Sequence, residues 1–263
     1  MFFGSMAITV YALFITALLG LCMGSFLNCA AWRMTHNESV LKGRSHCTSC
    51  GHELAAKDLV PVFSWIASGG HCRYCDEKIP KRYIVVEVLT ATIFIIIVLK
   101  FGVTLLALEM LALASILICV TLTDLEDGII PNSLIIIGIV LKLIFVLFSG
   151  DILDGLLRVV IGGLSISLPL LIIVLIADKV MKKDTMGGGD IKLFFMVGMY
   201  FDWQINIFIL VAACVLGIIF SVISMRGKIE GGKPLPFGPS IAAASLLSMV
   251  IGAEIVSWYL GLF

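Results

Sequence analysis

Apolar runs of about twenty residues, the length needed for one membrane crossing, constrain this chain more than any motif does. They recur near residues 6–32, 83–100, 103–122, 130–149, 155–177, 191–201, 204–224 and 238–261. In hydrocarbon a backbone must satisfy its own hydrogen bonds, and a helix does so within one segment. With 60% hydrophobic and 14% charged residues and a mean hydropathy of +1.12, the chain reads as an all-α polytopic membrane protein of about eight transmembrane helices. No charge precedes Arg33, so the first run lacks the positive start of a secretory signal peptide and is expected to stay as a membrane helix.

The formal net charge of zero argues against a nucleic-acid partner. The 18 Lys and Arg are nevertheless sorted. They concentrate in residues 33–82, 179–192 and 226–233, which an eight-helix count puts on one face of the membrane. The positive-inside rule makes that face cytoplasmic and both termini external. The run at 191–201 is the weak member, because 11 residues rise only about 16 Å. If it did not cross, Arg226, Lys228 and Lys233 would move outside, so a short crossing with local bilayer thinning is expected.

One polar segment interrupts the helices. Residues 33–82 hold all four histidines and two CxxC pairs, Cys47/Cys50 and Cys72/Cys75, separated by 21 residues. Paired thiolates at this spacing grip one tetrahedral zinc. So small a segment has little core, and metal binding would supply its folding free energy. Disulfides are the competing reading, improbable in a reducing cytosol. His46 and His71 precede the two pairs but are expected to be solvated, because four thiolates already fill a structural site. The organisation expected is helix 1 (1–32), a cytoplasmic zinc module (33–82) and a helical core (83–263). Glu87, near a span's end, is expected to snorkel to the interface.

Two carboxylates carry the chemistry. Asp190 closes Met186-Gly187-Gly188-Gly189-Asp190 at the mouth of one apolar run, and Asp124 follows another in Thr123-Asp124-Leu125-Glu126-Asp127. Ionisable groups beside hydrocarbon are costly and mark function by default. Glycines allow a peptide backbone to approach the neighbouring carboxylate. Two close carboxylates share a proton, so the ionised one activates water while the protonated one hydrogen-bonds a scissile carbonyl. Asp190, read as an N-cap, is expected to be the ionised base, and Asp124, past a helix C-terminus, the acid. Asp127 is the rival to Asp124.

Further residues extend the pattern: Gly24-Ser25-Phe26-Leu27-Asn28, Pro61-Val62-Phe63-Ser64-Trp65 between the CxxC pairs, Arg82-Tyr83 through Glu87, Ile130-Pro131-Asn132, and Pro236-Phe237-Gly238-Pro239. In this order and with this hydrophobic spacing, the chain resembles the type IV prepilin peptidases, from about residue 20 to about 240. The resemblance implies an aspartic peptidase of the GxGD membrane type in the bacterial inner membrane, surrounded by lipid. It would cut the basic leader from prepilins and pseudopilins of pilus or type II secretion systems at the cytoplasmic face. The catalytic pair maps onto Asp124 and Asp190. Many members also methylate the new N-terminus with S-adenosylmethionine. No nucleotide-type glycine fingerprint is present, so that activity rests on the resemblance alone.

Two other classes share parts of this pattern. A transporter also places carboxylates at glycine-rich helix ends, but near the midplane and often in duplicated halves. A non-enzymatic assembly factor would use the zinc module for docking and tolerate Asp124→Asn.

Overall fold

The computed structural model describes residues 6–148, 150–183, 185–225 and 236–262. Arg226, Lys228 and Lys233, used in the charge argument, lie outside these residues. Among the described residues the chain is all-helical apart from two isolated β-bridges, His46 with Glu53 and His71 with Lys78. The long elements are α1 (Met6–Thr35), α3 (Arg82–Phe101), α4 (Leu105–Asp127), α5 (Asn132–Leu147), α6 (Ile152–Met181), α7 (Gly188–Gly198), α8 (Trp203–Met225) and α9 (Gly238–Leu260). The short α2 (Phe63–Ala67) lies in the polar segment. Every expected apolar run is therefore helical, and among the described residues six helices are long and apolar enough to cross a bilayer. The other two are α5, with 16 residues, and α7, with 11.

The chain forms two compact units, Met1–Cys119 and Val120–Phe263. The first is built on an antiparallel pair, in which Gly20 opposes Ala91, Gly24 opposes Glu87, and Asn28 Nδ2 donates to Tyr83 O at 3.3 Å. The Gly20–Gly24 spacing is what lets two backbones touch. A Cβ on Gly20 would sit 2.5 Å from Ala91 Cα, and one on Gly24 2.7 Å from Glu87 Cα. In lipid, where apolar faces gain nothing by leaving solvent, such close packing of small residues holds helices together.

The second unit is centred on α7, whose Leu193, Phe194, Met196 and Val197 are at most 2% exposed. Its fit depends on small residues too: a Cβ on Gly162 of α6 would lie 2.4 Å from Gly198 O. Asn206 of α8 ties the same point, donating Nδ2 to Gly162 O and Gly198 O, each at 3.1 Å. Tyr200 Oη donates to Gly138 O of α5 at 2.7 Å. An 11-residue helix is thus held by neighbours rather than by its own length.

Two boundaries differ from expectation. α4 continues through Asp127, so Asp124 lies inside its last turns rather than beyond its end. α7 starts at Gly188 with Gly187 as N-cap, so Asp190 is its third residue and not its cap. Glycine's low helix propensity hides that start in the sequence.

Candidate active site and metal centre

In the first unit the two CxxC pairs form equivalent knuckles. The Cys47 N–H donates to His52 O at 2.9 Å and the Gly51 N–H to Cys47 O at 2.8 Å. The second knuckle repeats the register, with Cys72 N–H to Glu77 O at 2.8 Å and Asp76 N–H to Cys72 O at 2.9 Å. Each turn needs a left-handed residue, Gly51 at φ 71° and Asp76 at φ 59°, types that adopt this region at small cost. The turns bring Cys47, Cys50, Cys72 and Cys75 together with all four Sγ atoms within 4.8 Å of one another. A tetrahedral zinc with Zn–S near 2.3 Å requires S···S separations of about 3.8 Å. Cys47 Sγ and Cys75 Sγ lie 3.9 Å apart, so the thiols fit that ion. Their mutual influence is already visible. At Cys47 burial pushes the thiol up, but the Cys50 and Ser49 backbone N–H groups prevail and it falls to about 7. At Cys75 the Glu77 backbone N–H pulls downward, yet burial and the neighbouring sulfurs drive the thiol up to about 12. His71 is exposed and its Nδ1 lies 3.0 Å from Gly69 O.

The knuckles are anchored from both sides. Arg33, buried in the last turn of α1, donates to the carbonyls of Ser39, Val40, Lys42 and Arg44 at 3.1–3.3 Å. Asp58 accepts from the Ala55 N–H at 3.1 Å and from Tyr74 Oη at 2.9 Å, and pairs with Arg73 at 3.2 Å. Glu87 departs from expectation. It does not snorkel: only 6% exposed, its Oε2 accepts the Val62 N–H at 2.7 Å. Val62 stands at φ 63°, ψ −53°, with the Phe63 N–H bonded to Pro61 O at 2.6 Å. That is the rare, strained γ-turn, costing on the order of 1–3 kcal/mol. A buried carboxylate on the turn's own N–H holds it in place.

In the second unit, the carboxylates come from α4 and α7. Asp124 is 6% exposed, and its Oδ2 accepts the Gly238 N–H at 2.8 Å. Gly238 is the first residue of α9, with Pro239 behind it, so this N–H is one of the donors a helix start leaves unused. Any Cβ here would press on the acid: one built on Gly238 falls 2.7 Å from Asp124 Oδ2. Asp190 lies close enough to interact electrostatically with Asp124. A Cβ on Gly187 would come 3.2 Å from Asp190 Oδ2, and one on Gly189 3.2 Å from Ile130 Cβ. Lys192 Nζ donates to Asn132 Oδ1 at 3.0 Å, joining α7 to the start of α5. On the other side, Asp178 Oδ1 receives the Thr185 N–H at 2.7 Å and steadies the approach to the glycines. Asp127 is exposed at the last position of α4.

Comparison with known proteins places the chain in a family. Residues 18–101 match the model of the bacterial peptidase A24 N-terminal domain, and residues 111–222 that of the type IV leader peptidase family. A prepilin leader peptidase/N-methyltransferase of Pseudomonas aeruginosa is 32% identical over 272 residues, covering 93% of this chain and 92% of that one. The chain belongs to the type IV leader peptidase family. It is therefore a multi-pass membrane protein of a peptidase family. Relatives with the same description from Bacillus subtilis and Myxococcus xanthus are 30% and 31% identical, covering 92% and 85% of this chain and 95% and 66% of their own lengths. No solved structure matches. The leader-peptidase match contains Asp124, Ile130, Gly187 and Asp190, whereas Gly238, the donor to Asp124, lies beyond it. That donor is invisible to pattern reading, although Phe237-Gly238-Pro239 does signal a helix start.

Proposed function

We propose that this protein is an aspartic endopeptidase that removes the basic leader from prepilins and pseudopilins, with Asp124 and Asp190 as the catalytic pair. The observation that supports this reading is a pair of carboxylates from helices distant in sequence, close enough to interact electrostatically, one of them bonded to the first N–H of a third helix. That N–H, at the positive end of α9, suits an ionised carboxylate. The roles expected from the sequence are accordingly reversed. Asp124 accepts a proton from the attacking water, while the acid form of Asp190 hydrogen-bonds the scissile carbonyl. Collapse of the tetrahedral species then passes a proton to the leaving amine and frees the mature N-terminus. Asp127, solvated at the helix end, is left outside the reaction.

Four thiolates of Cys47, Cys50, Cys72 and Cys75 would hold one structural zinc, which supplies folding free energy and no step of the hydrolysis. The division of labour proposed is helix 1 (1–32), this zinc module (33–82) and the peptidase core (83–263). All eight long helices cross or enter the bacterial inner membrane, with the module and both aspartates facing the cytoplasm and the termini outside. The relatives' description as N-methyltransferases extends the reading to methylation of the freed amine by S-adenosylmethionine.

The test is gel-shift cleavage of a co-expressed prepilin. Wild type and Asp127→Asn should process it, and Asp124→Asn and Asp190→Asn should not. Processing by either of the latter two would remove the pair from the mechanism. Cysteine labelling tests the orientation: positions 57 and 183 should react from the cytoplasmic side and position 151 from the outside. Position 228 offers the same test but lies outside the described residues.

A further inference from the structure

Leu59, Val60, Phe63 and Ile66, large apolar side chains crowded onto α2 and the residues just ahead of it, are 42–65% exposed. The segment that carries them is otherwise polar. Apolar side chains gathered in this way on a surface mark a contact with another phase or molecule.

Their depth identifies what covers them. α3 has 20 residues and rises about 30 Å, the thickness of a hydrocarbon core, so its whole length is needed to cross. Glu87 lies five residues past the first residue of α3, about 7 Å inside that end. A helical side chain leans back toward the N-terminus by a few ångströms, and Glu87 Oε2 accepts the Val62 N–H at 2.7 Å. Val62 is thereby held roughly 4 Å below the level at which α3 enters the membrane, and Phe63 starts α2 at that level. The loop around Leu41 does not share this depth. From Gly24, opposite Glu87, α1 continues to Arg33, about 13 Å further out, and Arg33 holds the carbonyls of Val40 and Lys42.

The backbone is closed as a lipid-facing segment requires. In a solvated turn water would bond the Val62 N–H, whereas here a buried carboxylate takes it. The Phe63, Ser64 and Ile66 N–H groups donate to Pro61 O, Val60 O and Val62 O at 2.6–3.0 Å. Polar backbone groups left open in hydrocarbon would be costly. No acidic residue occurs from Leu59 to Cys75, while Lys57 ahead of the patch and Lys81 at the start of α3 are exposed, a pattern that suits anionic headgroups.

We propose that residues 59–66 form an interfacial anchor that sinks the edge of the module into the cytoplasmic leaflet, with Phe63 and Ile66 among the acyl chains. The depth is close to the roughly 5–10 Å at which the apolar faces of surface-bound segments settle. Through Glu87 the anchor fixes the height of the module against the bilayer, which accounts for the strained turn at Val62. The proposal rests on the reading that α3 spans the membrane with the module on its cytoplasmic side.

Full-length protein carrying the photocrosslinker p-benzoylphenylalanine in place of Leu41, Phe63, Ile66 or Val85 should be irradiated in nanodiscs of phosphatidylcholine and phosphatidylglycerol, and in native membranes with a co-expressed prepilin. Adducts are read by mass spectrometry. All four side chains are exposed, so the replacements remove no core packing, and Val85 on α3 is the lipid-facing control. Positions 63 and 66 should form phospholipid adducts as readily as position 85, and position 41 about tenfold less. Lipid adducts at 85 but not at 63 or 66 would overturn the anchor and leave the spanning α3 in place. Adducts at 63 with the prepilin instead of lipid, or lipid adducts as frequent at 41 as at 63, would overturn it as well. Absence of lipid adducts even at 85 would overturn both the anchor and the spanning reading.

Discussion

The two sites of this molecule are held together in opposite ways. In the first unit the knuckle cysteines lie within residues 47–75, and local turns bring their sulfurs together in a segment with almost no core. In the second unit Asp124, Asp190 and Gly238 come from three helices: the Gly238 N–H donates to Asp124, and Asp190 lies close enough to interact with Asp124 electrostatically. A ligand-defined site tolerates irregular surroundings provided its donors survive. A packing-defined site depends on residues that never touch substrate, because a displacement of about 1 Å can cost about 100-fold in rate.

Outside the aspartates themselves, the largest effect that would sharpen this contrast is expected at Gly238. Gly238→Ala puts a Cβ against Asp124, so leader cleavage should fall by about 100-fold with no change in bound zinc. Cleavage near the wild-type rate would show that the α9 contact does not position the acid. In the first unit, Cys47→Ser/Cys72→Ser should reduce zinc from about one per chain to background. Cleavage should suffer through loss of module folding while surviving in part. Metal-free wild-type protein carrying four mutually disulfide-bonded thiols would refute the metal site. Next in size, Asn206→Ala leaves the Gly162 and Gly198 carbonyls without their shared donor and should destabilise the second unit by about 1–3 kcal/mol, read as earlier thermal unfolding in detergent. The smallest effect is expected for Gly189→Ala, whose Cβ meets only the side chain of Ile130, at 3.2 Å. A loss of about 1 kcal/mol would match a neighbour that yields slightly.

This contrast also explains what was legible in the sequence. Hydropathy located every long helix, because an apolar run in a bilayer has few alternatives to helix. The knuckles were legible because CxxC spacing encodes the turn that makes them. Both aspartates stood out as charges at the margins of apolar runs. Their surroundings did not. The Gly238 N–H reaches Asp124 across 114 positions, and no local pattern encodes that distance. The exchange of acid and base in the proposal has the same origin: the helix start that donates to Asp124 belongs to α9, 114 positions away. Glu87 was misread as a snorkelling residue because its partner, the Val62 N–H, is a backbone group 25 residues away. The extent of α4 and α7 was misjudged by three to five residues, since Leu125-Glu126-Asp127 and Gly188-Gly189 are poor helix signals in isolation.

One paired measurement separates the two sites most directly: cleavage rate and bound zinc determined on the same purified preparations of wild type, Asp124→Asn and Asp190→Asn. Both variants should carry about one zinc per chain and remain folded, while leader cleavage falls by at least about 1,000-fold, as expected when a proton-transferring carboxylate is lost. Cleavage that follows zinc content and is indifferent to either aspartate would contradict the account, and would place the chemistry in the first unit instead.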